Sequence, residues 1–447
     1  MKKYKYQIYI LLFFTVCLIP SFGLFFTGPE ESSENRETAQ MPQLYTEEGM
    51  NVHFLNDTGK WFEEHFAFRN EWVSSYALLM EKAFGVSSQE RVIAGKDGWL
   101  YYKDSLDDFQ GANQMTERQL YDVAHSMAMI QAYAKKNGAD FAFTIAPNKN
   151  SLYGSNMPYY YQNFRTKGSN RERLLKYLKR ENVHYVDLYE VFSSKGQVLY
   201  HKRDSHWDNE GASVAADAIL TALEKEHPSY TDRKFQTRKD FFGDLNHMLY
   251  PAFAAAEEEI YYDPLPEFSY CGEVSSNFEP KIFTEAKTGE GSLVMYRDSF
   301  GNALLPYMAE VYKDAYFSRG IPYYLSDLAE HEADTLVIER AERFLPDMAK
   351  EAANMEAPMV QENILDVKVN PDIKELQVVK QGESWKVTGV IPDGCLKTES
   401  KIYIKVNGKA VYEAFPVSCE DGQEGFSMFL GESALQDGDN QFELYLE

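Results

Sequence analysis

Apolar and polar residues recur along this chain with two different periods, and the change from one to the other divides it. Between 117 and 136 the apolar positions Leu120, Val123, Ala124, Met127, Ile130 and Tyr133 keep helical spacing, which predicts a helix over Glu117 to Lys136 stopped by Gly138. Phe141 to Ile145 follows as a short apolar run, the pattern of a strand buried on both faces. The same alternation predicts helices over Arg171 to Arg180, Asn209 to Lys225, Asn302 to Lys313 and around Leu325 to His331. Strands are expected at Val183 to Val186, Leu293 to Tyr296 and Leu336 to Ile338. Helices alternating with buried strands imply an α/β fold, a mainly parallel sheet flanked by helices. Residues 228–290 show neither period and read as an insertion forming a wall over the sheet's edge. From about Val367 the period becomes two, in Glu375 to Val379, Trp385 to Thr388, Lys401 to Val406 and Phe442 to Leu446, with Asn407-Gly408 as a turn. That is the pattern of a small antiparallel β-sandwich.

The amino terminus has no period because it is apolar throughout. Ile8 to Phe26 carries no charge, and at about 1.5 Å per residue it nearly crosses a hydrocarbon core of about 30 Å. Lys2, Lys3 and Lys5 precede it and Glu30, Glu31 and Glu34 follow it, which orients the bulk of the chain outside the cytoplasm. Ser21-Phe22-Gly23 resembles a cleavage site but lies inside the apolar run, so an uncleaved single-pass signal anchor is expected rather than a removed leader. Residues 28–50 are polar, with Pro29 and Pro42, and read as an extracytoplasmic linker.

Composition narrows the function classes. With 44% hydrophobic residues, the 447-residue chain can bury sizeable cores, and its net charge of −24 makes it a poor partner for nucleic-acid phosphates. Its four cysteines are too scattered for a disulfide framework or a zinc ribbon, although Cys395 and Cys419 share one short segment and could pair in an oxidising compartment.

Two short segments carry candidate chemistry. Tyr296-Arg297-Asp298-Ser299-Phe300-Gly301 stands between a buried strand and a helix, where a serine is held at the carboxyl edge of the sheet beside helix-start N–H groups. The alternative is that Asp298 or Ser299 only caps the helix. Arg203-Asp204-Ser205-His206-Trp207 precedes the third helix. In extended chain, residues two apart point the same way, so Asp204 can orient the His206 ring while the other ring nitrogen faces a nucleophile. A histidine satisfied near a helix cap is the plainer reading. A Zn²⁺ or Mn²⁺ site of His201, Asp204, His206 and Asp208 is a further one, weakened because no other Asp/His cluster supports it. If both segments sit at strand ends of one parallel sheet, they assemble a Ser-His-Asp triad.

These two segments, taken with Gly95 to Tyr101, Ala146-Pro147-Asn148-Lys149 and Leu336 to Leu345, resemble the SGNH-hydrolase-like proteins of the alginate O-acetyltransferase (AlgJ/AlgX) type and the related bacterial DHHW proteins. The resemblance covers about residues 50–350 and keeps the family's order, with the Asp-x-His pair before the serine. It implies Ser299 as nucleophile, His206 as general base and then acid, and Asp204 as the residue fixing the imidazole. Arg297 stands where the family often has glycine, and Ser205 where DHHW proteins have histidine. Asn148 and Arg297 are candidate oxyanion donors, Lys149 and Trp207 further substrate-binding candidates, and neither metal nor cofactor is implied.

The expected organisation is a cytoplasmic stub and anchor over 1–27, the linker over 28–50, an SGNH-like catalytic domain over 51–362 and a β-sandwich over 363–447. The implied chemistry is acetyl transfer through a serine acyl-enzyme onto hydroxyls of a cell-surface or exported polysaccharide. A polytopic membrane O-acyltransferase is the expected acetyl donor. A carbohydrate esterase with the same triad, or a non-catalytic polysaccharide-binding scaffold, would share most of these features. Tyr153, Tyr159, Tyr160 and Tyr161 could stack on sugar rings or pack locally.

Overall fold

The computed structural model describes residues 4–27, 39–47, 49–230, 232–361, 372–382, 384–419, 422–436 and 438–447. Much of the expected linker, and the expected boundary between 362 and 363, fall outside the described residues.

The amino-terminal apolar run is one helix, α1 (Lys5–Thr27), long and apolar enough to cross a membrane, and none of its described side chains is fully buried in the protein. Two further helices follow, α2 (Phe54–His65) and α3 (Arg69–Phe84).

The helix predicted over Glu117 to Lys136 forms with those ends as α4 (Glu117–Lys136). Thr116 accepts from the Gln119 N–H and the Gln119 side chain returns the bond, so both orphan donors at its start are satisfied. Next come β1 (Asp140–Ala146), α5 (Asn170–Arg180), β2 (Tyr185–Val186) and α6 (Leu188–Lys195). Then follows α7 (Asn209–Ala222), capped by Asp208, whose carboxylate accepts from the Gly211 N–H at 2.8 Å.

The insertion is more than a wall. Its first half is a hairpin of Lys234–Phe241 with Glu257–Asp263, interrupted by α8 (Asp244–Leu249). Its second half supplies β3 (Ser269–Tyr270) and β4 (Lys281–Glu285), which join the main sheet. The remaining elements are β5 (Ser292–Tyr296), α9 (Gly301–Ala309), β6 (Asp314–Ser318) and β7 (Thr335–Ala341).

The sheet order is β2-β1-β7-β5-β6-β4-β3, parallel from β2 to β6 and antiparallel at the β4 and β3 edge. β1, β5 and β7 therefore end on one side. The residues after them, Asn148, Ser299 and Glu342, meet there because the strands run parallel. Core packs on both faces, against α4 and α5 on one side and α7 and α9 on the other.

The carboxy-terminal unit departs from the expected sandwich. β8 (Met359–Val360), β9 (Lys374–Gln381), β10 (Ser384–Val390), β11 (Ile402–Val406), β12 (Ala410–Ser418), β13 (Glu424–Gly431) and β14 (Phe442–Leu446) form one hydrogen-bonded path. The order is β9-β10-β13-β12-β11-β14, antiparallel throughout, with β8 on β12. β12 makes the curl: its first half pairs with β11 up to Ala414 and its second half with β13 from Phe415 onward. The sheet thus closes over its own core of Val387, Ile404, Phe426, Met428 and Leu444 without a second layer. No disulfide links Cys395 to Cys419.

This unit is docked on α4. Arg118 donates to the carbonyls of Lys397, Thr398 and Ser400 at 3.2, 3.3 and 2.6 Å and pairs with Asp122 at 2.8 Å. His125 sits between Glu181 at 2.8 Å and Glu413 of β12 at 3.1 Å, and Phe415 enters the main core. A helix face that is polar in sequence is therefore buried.

Candidate active site

Ser299 is held by what surrounds its turn. Asp298 accepts from the Phe300 N–H at 2.9 Å with one carboxylate oxygen and from the Ala341 N–H of β7 at 2.7 Å with the other. Its own N–H donates to Glu339 at 3.0 Å. Glu339 is fully buried; its burial, and then the charge of Asp298, push its carboxyl pKa well above the usual range. The turn is tight enough that a Cβ on Gly301 would lie 2.5 Å from Cβ of Arg297. Asp298 thus braces the turn, and Ser299 is left half-buried at its apex.

The second segment is not at a strand end. Asp204 to His206 lies in a loop after α6, closed by a bridge between Tyr200 and Trp207. Asp204 and His206 meet through a local turn rather than extended alternation. One Asp204 oxygen accepts from both the His206 backbone N–H and its Nδ1, each at 2.8 Å. The other oxygen accepts from the Asp244 N–H at 2.7 Å. On the far side of the ring, His206 Nε2 lies 2.8 Å from Ser299 Oγ, across 93 residues of sequence. Phe300 sets the ring edge-on, with centroids 4.8 Å apart.

Three other segments hold this loop. The Lys149 ammonium gives its three N–H bonds to the carbonyls of His201, Lys202 and Asp204 at 2.9, 2.8 and 2.6 Å. The Leu100 N–H donates to the Lys202 carbonyl at 2.8 Å, and the Asn246 N–H to that of Arg203 at 3.0 Å. A Cβ on Gly243 would lie 2.3 Å from the Arg203 oxygen, so only glycine lets the insertion approach this closely.

The insertion also brings Asp244, which no periodicity or motif marks out. It accepts from the Ser205 N–H and hydroxyl at 2.8 and 2.5 Å, and its carboxylate lies 3.8 Å from His206 Nδ1. Burial and then the charge of Asp204 push the Asp244 carboxyl up to about 6. Burial alone would raise Asp204 too, but the hydrogen bond and charge of His206 and the backbone N–H donors outweigh it and hold that carboxyl low. For His206 burial favours the neutral ring, yet the bond to Asp204, its charge and that of Asp244 raise the pKa above the ordinary value, with Arg343 opposing.

Among the other sequence candidates, Lys149, Arg297 and Trp207 are placed differently from expectation. Lys149 has no N–H left for a substrate; it positions the loop, and its burial lowers its pKa to about 7. Arg297 spends its guanidinium on Asn302 and the carbonyls of Asn277 and Glu279, tying the insertion to the serine turn. Trp207 is buried against Phe192, Tyr200 and Phe300 and offers no platform. Asn148 is buried beside the edge, with Nδ2 donating to Asp108 at 2.9 Å and Oδ1 unpartnered. Tyr153 packs on Trp99 and Tyr200, whereas Tyr159 and Tyr160 are exposed.

For a metal, Asp204, His206 and Asp244 bring three donor atoms within 4.8 Å. Both carboxylates already accept hydrogen bonds on each oxygen, so the donor set is one that orients an imidazole. The wider loop set does not gather: His201 pairs with Glu259 at 2.9 Å and Asp208 caps α7.

Residues 92–288 match the family described as SGNH hydrolase-like domain, acetyltransferase AlgX. This part of the chain is similar to SGNH hydrolase-like domains of the AlgX type. The SGNH-like match stops short of Ser299, so the serine's place beside His206 rests on the geometry above. Over 192 residues the chain is 26% identical to the probable alginate O-acetylase AlgJ of Pseudomonas syringae pv. tomato, covering 38% of this chain and 44% of that protein. The chain thus spans less than half the length of that relative. Among solved structures, the O-acetyltransferase domain of Pseudomonas putida AlgJ aligns with a TM-score of 0.37 and 18% identity, over 57% of this chain and 92% of that one. A DHHW family protein from Eubacterium siraeum aligns with a TM-score of 0.40 and 16% identity, over 50% and 85%.

Proposed function

We propose that this protein is a membrane-anchored, extracytoplasmic O-acetyltransferase that carries an acetyl group on Ser299 to hydroxyls of a cell-surface or exported polysaccharide. The observation carrying the reading is the continuous relay from Ser299 Oγ to His206 Nε2 and from His206 Nδ1 to Asp204, each step 2.8 Å. The match of residues 92–288 to the AlgX-type domain, and the AlgJ likeness, favour acetyl as the group and a polysaccharide as acceptor.

In this mechanism Ser299 Oγ attacks the acetyl carbonyl while its proton passes to His206 Nε2. Asp204 keeps the imidazolium oriented. The donor's carbon–oxygen bond then breaks and His206 returns the proton to the departing oxygen, leaving acetyl-Ser299. A sugar hydroxyl gives its proton to His206, attacks the ester carbonyl, and Ser299 Oγ leaves and regains that proton. The Ser299 N–H has no acceptor among the described residues and is the first oxyanion donor we assign. α1 serves as the anchor, with Lys2, Lys3 and Lys5 on the cytoplasmic side. A polytopic membrane acyltransferase supplies the acetyl group, residues 51–362 act as the catalytic unit and 363–447 as an accessory unit.

The test is intact-protein mass spectrometry after incubation with an activated acetyl ester. A single acetyl adduct mapping to Ser299, lost in Ser299→Ala and slowed at least a hundredfold in His206→Ala, is expected, since a general base contributes about 10²- to 10⁴-fold. A folded wild type that forms no adduct and turns over no ester would remove the reading.

A further inference from the structure

Large apolar side chains left in water are concentrated between α1 and the SGNH-like domain. Tyr45, Met50, Val52, Leu55, Tyr76 and Phe84 are each more than half exposed. On α3 the pattern is a stripe. Trp72, Tyr76 and Leu79 recur at intervals of four and three residues on the outer face and are exposed. The inner face is committed to the domain: Ser74 and Ala77 are buried, Ser74 Oγ accepts from the Ala252 N–H at 2.9 Å, and Glu81 accepts from the Tyr250 hydroxyl.

The turn that starts α3 touches the apolar helix. The Ala67 N–H donates to the Pro20 carbonyl of α1 at 3.3 Å, and a Cβ on Gly23 would lie 2.4 Å from Cβ of Ala67, so glycine permits the approach. Pro20 precedes the end of α1 at Thr27 by seven residues, about 10 Å along the axis. With α1 spanning a bilayer, the Ala67 turn lies at that depth below the helix end. Interfacial helices bury their apolar face about 5–10 Å into the headgroup and acyl boundary. Trp and Tyr are the residues that favour this layer, and Lys82 stands exposed near the far end of α3, where a lipid phosphate would meet it.

We infer that α3 lies in the bilayer interface with Trp72, Tyr76 and Leu79 among the lipids, so that the protein is held to the membrane by a face as well as by a tether. The inference rests on the anchored reading of α1. A water-soluble partner is the poorer occupant, because the stripe begins at a turn placed below the end of the membrane helix. The consequence reaches the site: α3 holds Tyr250 and Ala252, the same segment holds Asn246, and Asn246 holds the Arg203 carbonyl of the histidine loop. Docking α3 therefore fixes the orientation of the Ser299 edge relative to the membrane plane.

The experiment uses the full chain in phosphatidylcholine vesicles whose acyl chains are brominated near the headgroup, with tryptophan emission as readout. Wild type is expected to be quenched, and Trp72→Phe to lack the most strongly quenched part of that emission. The double variant Tyr76→Glu, Leu79→Glu should lose the same part while unfolding at the wild-type temperature and resisting extraction by alkaline carbonate. Equal quenching of wild type and Trp72→Phe in protein that resists carbonate would overturn the interfacial helix and leave the anchor standing. Extraction of wild type by carbonate would overturn the anchor, and this inference with it.

Discussion

Replacing Asp244 by Asn removes one negative charge 3.8 Å from His206 Nδ1 while nearly keeping the side chain's shape. At that separation a unit charge favours the imidazolium by about 1 kcal/mol at the dielectric of water and about 4 kcal/mol at an effective dielectric near 20. The Asp244 side chain is 40% exposed, which places the effect near the lower figure. About 1 kcal/mol is about 0.8 of a pH unit. The sign follows from the proton that moves. His206 accepts the Ser299 proton only when neutral, so acetylation of Ser299 rises with pH through the elevated His206 pKa. Asp244→Asn lowers that pKa and shifts the acid limb to lower pH by about half to one unit, while the alkaline plateau, set by the Asp204 bond, stays within a few fold. Because the Asp244 carboxyl is itself pushed up to about 6, the two profiles converge below that pH. Rates of acetyl-adduct formation, measured by rapid quench and intact mass across neutral pH, give both profiles. A limb that moves upward, or a plateau lost by more than about tenfold with the limb unmoved, would refute the charge argument. The hydrogen bonds of Asp244 to Ser205 would then be what matters.

Lys149→Met removes the three donors under the histidine loop and leaves the buried carbonyls of His201 and Asp204 unpaired, at a cost of about 1–3 kcal/mol for each left dry. Chemical denaturation should show a loss of several kcal/mol and Lys149→Arg should not restore it, because a planar fork cannot converge on three carbonyls as an ammonium does. Gly301→Ala places a methyl group 2.5 Å from Arg297 Cβ; a melting-point loss equivalent to about 1–3 kcal/mol and a slower acetyl adduct are expected. His125 has its pKa raised: burial opposes the charge, but the bonds to Glu181 and Glu413 outweigh it. Its stabilisation of the carboxy-terminal sheet is therefore complete below the unfolded histidine pKa and lost as pH rises through the higher folded value. The melting difference between wild type and His125→Gln should shrink from pH 6 toward alkaline pH, and a difference that grows would contradict the ion-pair geometry.

Much of this fold is legible in the sequence wherever one element's pattern suffices. α4 is legible to the residue because helical periodicity and Gly138 agree, and β1, β5 and β7 read as buried runs. Asp204, His206 and Ser299 are legible because their chemistry sits beside a turn and a helix start. Asp244 is not, since it reaches the histidine from a segment without periodicity, and the work of Lys149 is done on backbone carbonyls, which every residue has. Arg118, Asp122 and His125 read as a solvated helix face until the carboxy-terminal sheet covers them. Period-two runs announce antiparallel strands, but whether they stack as two layers or curl as one depends on β12 pairing with both β11 and β13, a long-range choice.

The order β1-β7-β5 has a consequence in time. The strand between β1 and β5 is the last of the main sheet to be made, so β1 has only the two-residue β2 beside it until Thr335 to Ala341 has emerged. At about 5–20 residues per second, the 93 residues from His206 to Ser299 separate the two side chains by several seconds of synthesis. The Asp298 carboxylate that braces the turn must still wait for the N–H of Ala341. The chain therefore carries Ser299 in a turn that lacks its Ala341 brace until the sheet closes around its last strand.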